Sequence, residues 1–421
     1  MFAKQFWALS HKILAVVIVT SLFAIRAHAA TETVIHSFGS ANADGQKPFA
    51  GLTQHAGAFY GTTTGGGPRD AGTVFAVKLV NGVWKEKVLY AFTGADGDNP
   101  QSNVVFDQAG NLYGTTYYGG TGDCFSSGCG TVFELSPVNG TWTETVIYNF
   151  TGTTGGNDGA SPTAGLIFDA TGNLYGTTTQ GGASDAGTVF KLTPAGGSWA
   201  ETVLYNFAGM PDGAAPLGNL IFDRAGNLFG TTAAGGTYNH RNPFGDGTIF
   251  ELSPNPDGSW TETVLHTLGA GADGASPEAG LIADPAGNLY GTALYGGGTP
   301  NGGHGTVFQL ALSNGVWTES VISNFTVPGG GNFPQSAVIL DQAGNVYGTA
   351  SGGTGRNGVI FKLSLVNGAW THTPFYTFPD TLSGIHPLGS PLMDKAGNLY
   401  GTTVTGGPGC GCHGVVYMLA P

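Results

Sequence analysis

The feature that most constrains this chain is that it repeats itself. The pattern [Leu/Phe/Val]-[Tyr/Phe]-Gly-Thr begins at Phe59, Leu112, Leu174, Leu228, Leu289, Val346 and Leu399, with spacings of 53, 62, 54, 61, 57 and 53 residues. A unit of about 57 residues overrides the two or three domains that a length of 421 would suggest. Each copy holds four short β-patterned runs, lettered A to D; in the third copy they span 165–169, 173–178, 187–192 and 199–207. A and B are joined by Asp-x-x-Gly-Asn, as at Asp107 to Asn111 and Asp341 to Asn345. The Asp opens that turn and the Gly takes its positive-φ position. C and D are joined by Asn-Gly, Gly-Gly or Asp-Gly, as at Asn81-Gly82, Gly196-Gly197 and Asp257-Gly258, a strong hairpin signal. Seven such units predict an all-β fold, a seven-bladed β-propeller of four-stranded antiparallel blades. A parallel β-helix would use shorter coils without tight hairpins.

The ends of the repeat predict how the ring closes. Residues 31–38 read as a D strand with no A, B or C before it, and residues 414–421 as a C strand with no D after it. The first strand therefore completes the last blade and removes an unpaired edge. This makes residues 30–421 one domain. Residues 1–29 read as a signal peptide: Lys4 and Lys12, an apolar run over 13–25, then Ala27-His28-Ala29 as a cleavage site. The run falls short of the ~20 residues that span a bilayer, so cleavage near Ala29 and release into the periplasm or medium are expected, without membrane insertion. Glycine is abundant, at 74 residues, but has no three-residue period, which excludes collagen. Twenty-seven acidic residues against 14 basic ones give a net charge of −13, which argues against nucleic acid as a partner.

The phrase Gly-Leu-Ile-x-Asp-x-x-Gly-Asn-Leu-Tyr-Gly-Thr-Thr, followed by Gly-Thr-Val-Phe-x-Leu and Trp-Thr-Glu-Thr-Val-Leu-Tyr-x-Phe, resembles the GloVer tandem repeat over nearly all of residues 31–421. That resemblance implies an exported, propeller-like array with a choice of C-terminal anchors, and no established activity. Pro421 follows a structural strand without a sorting tail, so release rather than anchoring is expected here.

Repetition also sorts scaffold from site. Chemistry needs one asymmetric cluster, so residues present in every blade read as structural. The D-strand acids Glu32, Glu86, Glu144, Glu201, Glu262 and Glu319 are expected to protect an outer edge. The Trp at 84, 142, 199, 260, 317 and 370 is expected to pack between blades. His36 and His266 stand where other copies have Tyr and read as core substitutions. The Asp-Gly-x-x-Pro element at Asp44, Asp96, Asp158, Asp212 and Asp273 reads first as a turn, with calcium as the alternative. No other cofactor or metal is expected.

The B–C loops vary from 8 to 15 residues and share a face with the D–A connections. They carry the candidate ligand-binding residues Tyr117, Tyr118, Tyr238, His240, Arg241, Phe244, Tyr295 and His304, with Phe125 beside the first pair. Cys124 and Cys129 are expected to form a disulfide; Cys410 and Cys412 form a strained pair, or a weak metal motif with His413. No Gly-x-Ser-x-Gly nucleophile motif, phosphate-binding loop or dinucleotide fingerprint is present. The expectation is a monomeric, non-catalytic binding module for a glycan, peptide or envelope protein, with no catalytic residues assigned. The alternative is a polysaccharide lyase or hydrolase on the same face, using His240, Arg241, His304, His386 and His413 if they converge over the channel.

Overall fold

The computed structural model describes residues 30–39, 43–124, 127–152, 157–269, 272–298, 303–325, 330–352, 357–408 and 413–421. The signal-peptide reading, Phe125, Cys410 and Cys412 lie outside the described residues. Seven four-stranded antiparallel sheets follow one another in the order A–B–C–D. In the second blade these are Val105–Phe106, Leu112–Thr116, Thr131–Val138 and Thr141–Asn149. The last sheet is completed by Thr31–Ser37, antiparallel to Val415–Ala420, so the ring closes as the repeat count requires.

The turns follow their sequence. Asn81 and Gly82 both have positive φ, at 50° and 77°, which is the two-residue hairpin geometry matching strand twist. The fourth blade departs: Asn255 N–H donates to Ser259 O and only Gly258 is left-handed, so Asp257-Gly258 sits in a wider turn. In the A–B turns, Asp169 accepts from the Asn173 backbone N–H at 2.9 Å and from its side-chain amide at 2.6 Å. Partial burial opposes ionisation there, yet these donors and Thr171 hold the Asp169 carboxyl at about 2.

The hydrophobic core is divided into seven clusters, one between each pair of adjacent blades. Between the second and third blades, Tyr113, Val132 and Phe150 pack against Leu174, Phe190 and Leu192. Trp199 lies edge-on to Tyr113 of the preceding blade, with ring centroids 5.9 Å apart, so the tryptophans do pack between blades. The Gly of the Leu-Tyr-Gly-Thr run makes room for the strand-C phenylalanine: a Cβ on Gly176 would lie 2.6 Å from the Phe190 ring.

A bulge recurs in every D strand, for example where Tyr148 pairs with Val132 but Val146 with Phe133. One extra residue exchanges the faces of the strand beyond it. Glu144 and Tyr148 have the same sequence parity, yet Glu144 faces Asp96 behind it while Tyr148 bonds Asp158 ahead of it. One strand thus serves two interfaces.

The first threonine after each repeat glycine joins the blades around the axis. Its hydroxyl donates to a backbone carbonyl of the next blade: Thr62 to Ser102, Thr115 to Ala164, Thr177 to Pro216, Thr231 to Ala279, Thr292 to Ser336, and Thr349 to Gly389. Thr402 then donates to Ala50 O at 2.8 Å, and the circle of seven bonds is complete.

Candidate functional site

The segment that positions the axial mouth begins one residue before a proline in each blade. Lys47, Asn99, Ser161, Ala215, Ser276, Phe333 and His386 all adopt φ between 53° and 59°. That backbone costs an ordinary residue on the order of 1–3 kcal/mol, so it persists only where its surroundings compensate. Here Asn99 N–H donates to Ala71 O of the preceding blade and Asn99 O accepts from Tyr117 N–H; the other six positions are held by the same pair of bonds.

The residue after each proline then rings the axis: Phe49, Gln101, Thr163, Leu217, Glu278, Gln335 and Leu388. Around them lies a cavity of about 240 Å³ on the face carrying the B–C and D–A loops. The next positions inward are small, because adjacent blades touch there: a Cβ on Gly218 would lie 2.5 Å from the Ala279 carbonyl. Asn219 bridges the channel below the mouth, donating to Asn103 Oδ1 at 2.9 Å and accepting from Gly165 N–H at 2.6 Å. Beneath that bridge the channel is lined by apolar groups such as Ile282, Ile339 and Met393.

Among the described residues, Glu278 is the single titratable side chain lining the mouth. It accepts a hydrogen bond from Gln335 Nε2 at 2.9 Å. Burial raises its pKa above the ordinary glutamate value, and the Gln335 bond opposes the shift. Phe49, 37% exposed, supplies an aromatic face at the same rim.

None of the loop residues singled out in the sequence lines this mouth. Tyr117 and Tyr118 pack edge-on to each other, with centroids 4.4 Å apart. Tyr238 stacks on His240, whose Nδ1 lies 3.0 Å from Gly269 O. That loop folds around Asp246, a fully buried carboxylate accepting from the backbone N–H groups of His240, Arg241 and Asn242. Phe244 on the same loop is 75% exposed. Tyr295 and His304 meet Phe333 of the next blade, and His304 shares a second cavity, of about 370 Å³, with Phe333 and His386. His413 lies against Gly39 at the ring closure. The five candidate groups of the enzyme reading therefore do not converge over the channel. Cys124 and Cys129 are disulfide-bonded.

The repeated glutamates require a correction. They do not protect an exposed edge: Oε1 of Glu32, Glu86, Glu144, Glu201, Glu262 and Glu319 is shut off from solvent and has no hydrogen-bond partner. They turn into the clefts between blades, and all but Glu32 lie near the Asp of the Asp-Gly-x-x-Pro element. Burial, reinforced by that Asp, pushes Glu86, Glu144, Glu201, Glu262 and Glu319 up to about 7; His36 and His266 oppose the shift at Glu86 and Glu319. The aspartates are engaged by the D-strand tyrosine: Tyr90 donates to Asp96, Tyr148 to Asp158 at 2.7 Å and Tyr205 to Asp212 at 3.1 Å. Backbone N–H groups add to this, as from Thr151 to Asp158 and from Ala208 to Asp212.

Two clefts carry histidine in the tyrosine position. His266 Nε2 bonds Asp273 Oδ2 at 3.1 Å, whereas His36 Nε2 lies 3.4 Å from Asp44 Oδ2 and makes no hydrogen bond. Ligand atoms of His36, Asp44 and Glu86 all lie within 4.8 Å of one another, the one such group among the described residues.

This is a seven-bladed propeller with a closed channel, a variable polar mouth on one face and buried carboxylates between its blades. The chain belongs to the Gloeobacter/Verrucomicrobia repeat family, whose model matches residues 19–244, 125–303 and 236–421. No curated protein matches it. Similar solved structures include a putative 6-phosphogluconolactonase from Bacteroides uniformis, at 18% identity, covering 83% of this chain and 88% of that one, with a TM-score of 0.52. A polysaccharide lyase, the PL25 ulvan lyase, is 13% identical over 90% of this chain and 94% of its own, with a TM-score of 0.52. A fungal alcohol oxidase in complex with copper is 15% identical over 94% of this chain and 77% of its own, with a TM-score of 0.54. At such identities the likeness shows the fold, and different chemistries share it.

Proposed function

We propose that the protein is an exported, non-catalytic binding module that takes the end of a glycan chain in the axial mouth. The observation that carries this reading is the ring of residues after the seven prolines. Their neighbours are fixed by backbone bonds and close packing, while these seven side chains are of five kinds and face the cavity. An amide pair, a half-buried carboxyl and an aromatic face together suit sugar hydroxyls and a sugar ring. A cavity of about 240 Å³ is below the ~300–1,000 Å³ of sites that enclose drug-sized ligands, so it admits a terminal residue rather than a whole oligosaccharide. Export is supported by the segment of residues 1–29 and by the Cys124–Cys129 disulfide.

The lining disfavours hydrolysis and elimination. Glycoside hydrolysis generally uses two carboxyl groups about 5–9.5 Å apart, and among the described residues the mouth presents one. Among the described residues, no Lys, Arg, His or Tyr lines it to serve as a partner acid, base or counter-charge. The test is a glycan array probed with the protein, followed by calorimetry of the best glycan against Phe49→Ala and Gln335→Ala. At least tenfold weaker binding in each variant supports the reading. Unchanged affinity in both, or an array without a bound glycan, overturns it.

A further inference from the structure

We propose that His36, Asp44 and Glu86 bind one divalent transition-metal ion of the zinc class at the ring closure. The three groups come from three segments: the strand that completes the seventh blade, the connection that follows it, and the D strand of the first blade. Zinc and its neighbours coordinate nitrogen and oxygen at about 2.0–2.2 Å. Ligand atoms within 4.8 Å of one another reach that geometry by side-chain movements of about 1 Å.

Two ligand atoms lack a partner, and although the glutamate oxygen shares this with the other cleft glutamates, the histidine nitrogen is particular to this cleft among the Tyr/His positions. His36 Nε2 and Glu86 Oε1 are both closed to solvent and both without a hydrogen-bond partner, an arrangement that is costly unless something occupies the space between them. The equivalent Tyr90, Tyr148 and Tyr205 donate a hydroxyl hydrogen to their aspartate, Tyr376 donates to Glu32, and His266 bonds Asp273, so the cleft at His36 differs from its sisters. The surroundings also orient the ligands. Asp44 Oδ1 accepts from Gly45 N–H at 2.7 Å, which turns Oδ2 towards His36. The His36 ring is set edge-on against Phe38, with centroids 4.7 Å apart.

The donor set selects the ion. One imidazole with two carboxylates is a borderline set suited to zinc, cobalt or manganese, whereas calcium takes six to eight oxygen ligands. A dication also neutralises two facing carboxylates. Bound here, it ties the closing strand to the first blade and gives the ring a clasp that the other interfaces lack.

The experiment uses Zn2+ and Co2+ as probes on the metal-stripped protein. Bound zinc is measured after dialysis, melting temperature with Zn2+ and with chelator, and Co2+ ligation by visible absorption. The expected result is one equivalent of zinc, a chelator-reversible rise in melting temperature, and a Co2+ spectrum without a thiolate charge-transfer band. His36→Tyr, which restores the residue of the sister blades and so keeps the fold, and Glu86→Gln both abolish these effects; His266→Tyr retains them. Absence of a Zn2+-dependent shift overturns the proposal. So does zinc retained in His36→Tyr with a thiolate band, which would place the ion at Cys410, Cys412 and His413.

Discussion

The inter-blade clefts and the axial mouth both carry buried carboxyl groups, yet they differ in kind. In the clefts a glutamate, an aspartate and a tyrosine or histidine recur around the ring; between the sixth and seventh blades Ser383 replaces the aspartate and Tyr376 donates to Glu32 instead, at 2.9 Å. Between the fifth and sixth blades the glutamate position is His372 and the tyrosine position is Ser323; the two bond each other at 2.8 Å. Burial holds the His372 pKa below the ordinary histidine value. There the whole unit is replaced as a set, which is how a packing solution behaves. At the mouth, Glu278 has no counterpart in any other blade. Repetition thus separates scaffold from site within a single chain.

Four changes would break or sharpen that contrast. The largest effect belongs to the closing strand. Deleting residues 30–38 removes six backbone pairings and the buried Ile35 and Phe38. At about 1 kcal/mol per hydrogen bond and about 2 per side chain, the loss is on the order of 10 kcal/mol, comparable to the stability of a whole domain. Urea denaturation should show no cooperative transition; a transition like that of the intact protein would mean the ring does not depend on its closure.

Thr402→Val tests the circle of hydroxyl bonds. It leaves the Ala50 carbonyl buried without its donor and should cost about 1–3 kcal/mol by the same denaturation assay.

The cleft glutamates give a pH signature. Their carboxyls sit near 7 in the fold against 4.5 as the ordinary value, so the folded state holds protons that the unfolded chain releases. Their stabilisation is full below pH 4.5 and is lost as pH rises through about 7. Glu144→Gln should therefore raise the melting temperature at pH 8 and leave it nearly unchanged at pH 4. A uniform destabilisation at both values would return Glu144 to the role of an ionised surface group. Phe49→Ala, at the mouth, should change stability by less than about 0.5 kcal/mol, because the ring is already partly exposed and sits outside the inter-blade cores.

Much of the architecture was legible because its signals are local. Asn-Gly before a tryptophan, Asp-x-x-Gly-Asn before Leu-Tyr-Gly-Thr, and a lone D strand at one end each specify backbone geometry without reference to anything distant. The direction of Glu144 was not legible. It depends on a bulge two to three residues further along, and an extra residue in a strand leaves no mark in a period-two pattern. The threonine circle was hidden for another reason: Thr402 and Ala50 are 352 residues apart in sequence. The mouth was not legible because variability was sought in loop length, whereas the variation at the mouth sits in a connection of nearly constant form. The prolines at 48, 100, 162, 216, 277, 334 and 387 were the available signal, since five residue types follow them while the frame around them stays the same.

The most direct test sets one carboxyl against another. A single glycan array is probed with the protein, with Glu278→Gln and with Glu144→Gln, at pH 7. The account predicts that the protein and Glu144→Gln bind the same glycans with the same affinity, while Glu278→Gln loses at least tenfold. Full binding by Glu278→Gln, or its loss in a folded Glu144→Gln, would contradict it.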